Sequence, residues 1–284
     1  MPRPADRLVL TGLALAGLAA GAPAAPAAAQ DLGDFPFDRF ALSAGSFYET
    51  TDADLRLDAG TAGGGTLFSL EEDLGLDAST NLLRLELEWR FADRHQLTAA
   101  YFELSRDGGR TIDREIAFGD TVFPVSASLA TESEFEFTEL HYTYWAVKKP
   151  RGGVGIDLGA AIVSFGASLE AELDRPGGGG SVRLVRSAST DLPVPLLGVE
   201  GRWTPARRLL VGGAVRVLPS IEIEDFEGSA LSYMVRLEYR AFRHFGVGAS
   251  WSDFAIDVDV EKPRFRGAID FTIEGAQLYL RFAT

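Results

Sequence analysis

The sequence has no cysteine, so a secreted form of this chain takes no stability from disulfides. Positive charge is scarce: 27 Lys and Arg stand against 41 Asp and Glu, for a formal net charge of −14. That acidity argues against nucleic acid as a partner, which selects basic patches. Histidine occurs three times, with no pair at zinc-ligand spacing, and no Gly-x-Ser-x-Gly elbow is present. Beyond the first 29 residues no apolar run approaches the roughly 20 residues of a membrane-spanning helix.

What is present starts at the N-terminus. Arg3 and Arg7 precede an apolar run, Leu8 to Ala20, and a small-residue tract ending Ala27-Ala28-Ala29. This is the pattern of a secretory signal peptide over residues 1–29, leaving 30–284 as one mature domain without a linker or composition break. Within that domain, Leu83-Arg84-Leu85-Glu86-Leu87-Glu88-Trp89-Arg90-Phe91 alternates large apolar and charged residues. A strand sends successive side chains to opposite faces, so this segment has one oily and one ionic side. A closed barrel in a bilayer requires that pairing, with lipid outside and water or ion pairs inside.

The same period recurs. The apolar sets expected to face lipid are Phe40, Leu42, Ala44 and Tyr48; Leu83 to Phe91; Leu140, Tyr142, Tyr144 and Ala146; Val154 to Ile162; Leu197, Val199 and Trp203; Leu209, Val211, Val215 and Val217; Leu231 to Tyr239; Phe245 to Trp251; and Ala276 to Phe282. Leu97 to Leu104 is ambiguous, because Leu97, Ala99 and Tyr101 compete with Phe102 and Leu104. These segments predict an all-β, antiparallel up-and-down barrel of ten strands, with twelve and eight as alternatives, since Thr66 to Leu70 and Thr111 to Phe118 also look strand-like. Four tight connections, near residues 92–94, 148–153, 204–206 and 242–244, alternate with five long ones, as periplasmic turns alternate with outer loops. A soluble sandwich or lipocalin-like barrel is the competing architecture.

The ending Gly275-Ala276-Gln277-Leu278-Tyr279-Leu280-Arg281-Phe282 resembles the C-terminal signature of bacterial outer-membrane β-barrel proteins, with Gly275, Leu278, Leu280 and Phe282 in the motif positions. Two departures are Ala283-Thr284 after the terminal aromatic and Ile273 where a polar residue is usual. The whole chain resembles small Gram-negative outer-membrane barrels. The resemblance implies residence in the outer membrane and recognition by the barrel-assembly machinery, with periplasmic chaperones on the way. It implies no chemistry.

The inward charges expected to line the lumen are Arg84, Glu86, Glu88, Arg90, Glu139, His141, Asp157, Glu200, Arg202, Arg216, Arg236, Glu238, Arg240 and Arg281. They read either as an ionic plug or as a charge-lined, porin-like pore; a ten-stranded lumen is just wide enough for side chains to fill, which favours the plug. His141 reads as an ordinary lumen histidine, not a catalytic base, and His95 and His244 as turn residues. Two acidic clusters, Glu71-Glu72-Asp73 and Asp253, Asp257, Asp259 with Glu261, read as a solvated outer rim. They lack the order of a calcium loop but could meet anionic lipopolysaccharide through divalent cations. Trp89, Phe91, Tyr144, Trp145, Trp203, Phe242 and Phe245 are expected to form a periplasmic aromatic girdle. The expected function is non-enzymatic, without catalytic residues, metal or cofactor: a narrow channel for small polar solutes, or a structural and surface-interaction barrel. A lipid-modifying enzyme is the alternative.

Overall fold

The computed structural model describes residues 32, 34–58, 65–119, 121–174, 181–223, 226–262 and 265–284. The expected signal peptide lies outside them. Among the described residues thirteen strands follow one another: β1 (Phe40–Leu57), β2 (Phe68–Ser69), β3 (Ser79–Ala92), β4 (His95–Thr111), β5 (Ile116–Phe118), β6 (Thr121–Phe123), β7 (Ser128–Lys149), β8 (Gly152–Asp174), β9 (Ser181–Ala206), β10 (Leu209–Ile223), β11 (Phe226–Arg240), β12 (Phe245–Lys262) and β13 (Phe265–Ala283). Ten form one antiparallel ring, β1-β3-β4-β7-β8-β9-β10-β11-β12-β13, and β13 returns to pair with β1 along Leu57↔Gly267 to Ala41↔Ala283. The segments that suggested extra spanning strands do not span. One supplies the two-residue β2 beside β1, and the other enters the small β5–β6 hairpin.

The long connections expected from the sequence are largely strand. β8 and β9 run for 23 and 26 residues, where a tilted strand needs only about 9–11 to cross the hydrocarbon. The surplus rises above the membrane, and both faces of the wall change character on the way up. Outside, the cross-strand row Tyr101, Thr138, Ile162 and Pro193 is followed two residues higher by Glu103, Glu136, Ser164 and Asp191. Inside, ionic residues give way to Phe102, Phe137, Val163 and Leu192, which are buried. The ambiguity at Leu97 to Leu104 is resolved by this inversion: Tyr101 faces out, while Phe102 and Leu104 enter the upper core.

The wall therefore has two storeys. The lower one turns Leu83, Leu85, Leu87, Leu140, Ile156, Leu158, Leu278 and Leu280 to the outside. The upper one has polar residues outside and an apolar core inside, in which Phe135 stacks on Phe271 at 4.2 Å between ring centroids. Loop residues complete that core: Phe68, Leu70, Leu74, Phe118 and Phe123 are all fully buried. Aromatic pairs of this kind contribute about 0.5–1.5 kcal/mol beyond their burial.

Candidate functional site

The lower lumen is where the charged alternation converges. Every charged residue placed there by sequence faces inward, and twelve of the fourteen are buried; Glu86 and Arg90 are half-buried. Glu88 on β3 is the hub. Arg202 from β9, Arg236 from β11 and Arg281 from β13 reach its carboxylate at 2.9, 2.9 and 2.7 Å. Arg202 also meets Glu200 at 2.8 Å, Arg236 meets Glu86 at 3.1 Å, and Arg281 meets Glu238 at 3.3 Å. Guanidinium forks suit this work because their donors are fixed in a plane and can address several carboxylates at once.

A second cluster lies higher. Arg216 donates twice to Asp157, at 3.0 and 2.8 Å. His141 sits between two carboxylates, Nδ1 at 3.1 Å from Asp157 and Nε2 at 3.4 Å from Glu139, and Arg84 lies 3.6 Å from Glu139. Below, the N-terminal segment closes the end of the barrel that carries the short turns. Asp38 is buried against Arg240 and Arg281, Phe37 packs edge-on against Trp145 at 4.9 Å, and Arg90 donates from Nε to the Phe37 carbonyl at 2.9 Å. Arg90 thus belongs to this closure and not to the hub.

Sequence reasoning missed Asp38, Gln96 and Trp145 as lumen residues. Gln96 donates to Glu88 at 3.2 Å and accepts from Trp145 Nε1 at 3.3 Å. Trp145 was expected in the girdle; instead it is fully buried, with Arg202 over its ring at 5.0 Å. Its odd number, in phase with His141 and Thr143, was the available signal, and a bulge between Tyr144 and Val147 then turns the chain out. Tyr279 lies between its cross-strand partners Gly45 and Gly248. A Cβ on Gly248 would come within 2.2 Å of its ring, so glycine there makes room for the tyrosine.

The acidic rim also needs correction. Glu71 pairs with buried Arg106 and accepts the Ala53 N–H at 3.0 Å, and Asp73 pairs with Arg114. These carboxylates pin the first outer loop over the barrel mouth, and the same loop carries buried Leu70 just before them and Leu74 just after. Asp257 and Asp259 do face outward on β12; Asp259 meets Arg56 at 3.0 Å. Glu261's side chain lies outside the described residues.

At the C-terminus, Leu278, Leu280 and Phe282 face outward, and a Cβ on Gly275 would come within 2.2 Å of the Tyr48 carbonyl. Ala283 and Thr284 prolong the closure by donating to the His244 and Phe40 carbonyls. Ile273 is apolar because it enters the upper core.

Between the storeys lies a cavity of about 30 Å³, lined among others by Arg84, Glu139, His141, Arg236, Phe102 and Phe254. That is room on the scale of one or two waters.

No protein-family model matches the sequence, and no curated protein matches it. Among solved structures the chain is similar to the outer membrane protease OmpT from Escherichia coli, with a TM-score of 0.58 and 10% identity over 88% of this chain and 98% of that one. It also matches the P. putida toluene transporter TodX (TM-score 0.36, 9% identity, 88% and 91% covered) and Ail, the attachment invasion locus protein of Yersinia pestis (0.31, 10%, 87% and 100%). At these identities the likeness is one of fold. Ring closure, the lipid-facing belt and the likeness to the OmpT structure agree that the chain has the fold of a transmembrane β-barrel of the Gram-negative outer-membrane type.

Proposed function

We propose that this barrel is a non-enzymatic, non-conducting protein that acts through its outer, water-exposed storey, as a structural or surface-interaction element of the outer membrane. One observation carries the reading: Glu88 binds arginines from three other strands across the lumen, so the lower storey is filled by its own ion pairs. The apolar upper core adds a second layer of filling above it. The histidine positions favour a non-enzymatic role. His95 and His244 lie beside periplasmic turns, and both nitrogens of His141 face carboxylates. OmpT is a protease, but identity of 10% transfers no activity.

Its proposed surroundings are outer-membrane lipid and lipopolysaccharide. Delivery would use a cleaved signal peptide over residues 1–29, periplasmic chaperones, and the barrel-assembly machinery acting on the strand that holds Gly275, Leu278, Leu280 and Phe282. The test is planar-bilayer recording of refolded protein. A filled lumen gives no discrete conductance steps. Steps whose ion preference changes in Arg84→Ala would instead support the second reading, a narrow channel for small polar solutes, which the cavity beside Arg84 and Glu139 favours.

A further inference from the structure

The ring is hydrogen-bonded along every seam, but two seams stop early: β3–β4, whose ladder ends at Leu85↔Tyr101, and β9–β10, which alone carries prolines at the break. β9 and β10 pair from Ala206↔Leu209 up to Leu197↔Val217. Above that point, among the described residues, β9 pairs only with β8 and β10 only with β11. Continuing the register would set Pro195 against Pro219, and Pro193 against Ile221.

The direction of the donors explains the stop. Thr204 donates its N–H to Arg151, at the foot of β8, and Arg240 donates to Arg208, at the foot of β10. Donors on a strand point to the same neighbour at every second residue. Even-numbered residues of β9 therefore address β8, even-numbered residues of β10 address β11, and the odd-numbered residues of both address each other. Pro193, Pro195 and Pro219 are all odd. Each lacks an N–H, so all three remove a donor from this one seam. A bulge between Leu218 and Ile221 then leads β10 away.

The stop falls at the top of the lipid-facing belt. Pro193 and Pro195 pair across β8 with Ile162 and Ala160, the last apolar outward residues of that strand. Below the gap, Leu197 and Val217 are 54% and 42% exposed on the lipid side. Unpaired backbone is expensive against hydrocarbon because no water is there to satisfy it, and deleting the donors lowers that cost. The gap is thus bordered by prolines and aliphatic side chains and runs on from the lipid belt.

We propose that this seam is a docking site for a hydrocarbon chain, with an acyl chain of an outer-leaflet lipid lying in the wall between β9 and β10 where the strand ladder is missing. The acyl chain contacts Leu218, an inward residue that is only half-buried beside the gap, whereas Leu196 across from it is fully buried.

The test uses the full mature chain, refolded into phosphatidylcholine vesicles whose acyl chains carry a diazirine, with photolysis and mapping of the adducts. Adducts are expected on Leu218 as well as on outward Leu197 and Val217. Val163, inward on the fully paired β7–β8 wall, is the unlabelled control. Pro195→Val with Pro219→Val restores two donors and should abolish labelling of Leu218 while leaving Leu197 labelled. Labelling of Leu218 no higher than that of Val163 in the unaltered chain overturns the proposal, whether or not the double variant folds. So does labelling that persists in a folded double variant. Absent adducts in a protein that is dimeric in the same vesicles would mean that a second copy covers the seam, which also overturns it.

Discussion

The two storeys of this barrel solve opposite problems with one continuous sheet. Below, the solvent outside is hydrocarbon, so apolar side chains face out and the charges left inside must satisfy one another. Above, the solvent is water, so carboxylates and serines face out and the aromatic residues form an ordinary core. β7 passes through both. Glu132, Glu134 and Glu136 share a face with Leu140 and Tyr144, while Phe135 and Phe137 share the other with Glu139 and His141. Strand, pleat and register are unchanged across the junction. The medium decides which side chains each face carries.

The comparison is broken most forcefully at the ionic hub. Glu88→Ala leaves Arg202, Arg236 and Arg281 without their shared carboxylate, and removing one partner of a buried pair costs about 3–5 kcal/mol. Urea unfolding of the variant in detergent micelles should show a loss of that size. A loss under about 1 kcal/mol would mean that the lower storey does not depend on its ion pairs.

Phe271→Ala probes the upper storey, where cavity creation predicts a loss of about 3–5 kcal/mol by the same measurement. It should leave the lipid-facing belt intact, so tryptophan quenching by brominated lipid should not change. Leu278→Arg tests the outer face of the lower storey. A charge facing lipid costs about 2–4 kcal/mol near mid-membrane, whereas Ser189→Arg, outward on upper β9, should stay within about 0.5 kcal/mol. Equal effects at the two sites would erase the distinction between the storeys.

The smallest effect is expected on the upper surface, where Asp54, Asp270 and Asp257 are direct cross-strand neighbours. Partial burial, reinforced by the adjacent carboxylates, raises the pKa of all three above the ordinary aspartate range. A raised carboxyl binds its proton more tightly in the folded state, so this patch destabilises the fold at neutral pH. That penalty disappears as pH falls through the raised pKa values. Asp270→Asn should therefore raise the thermal midpoint slightly at pH 7 and leave it unchanged at pH 3. A gain independent of pH would assign the effect to something other than charge.

Much of the lower storey was legible in the sequence. Leu83 to Phe91 displays both faces of a membrane strand, and the inward phase of Arg202, Arg236 and Arg281 follows from period two alone. The hub was not legible, because which carboxylate three arginines share depends on stagger across the ring. The upper storey was missed because the inversion of the alternation looked like its end. In Glu134-Phe135-Glu136-Phe137-Thr138-Glu139-Leu140 the apolar residues change parity, which marks a strand leaving the bilayer. Trp145 is deceptive for a related reason: its nearness to a turn points to the girdle, while its phase with His141 and Thr143 points inward. The proline seam is written in the sequence as well, but a missing donor acquires meaning only once the neighbouring strand and the donor directions are known.

The central claim is tested most directly by spin-label accessibility along β7, using single cysteines in a chain that has none of its own. Labels at positions 132, 134, 136, 138, 140, 142 and 144 in vesicles should collide with a water-soluble nickel chelate from 132 to 136. They should collide with oxygen dissolved in the hydrocarbon from 140 to 144, with the crossover at 138. Lipid exposure continuing through 132 to 136, or water exposure at 140 to 144, would contradict the two-storey account.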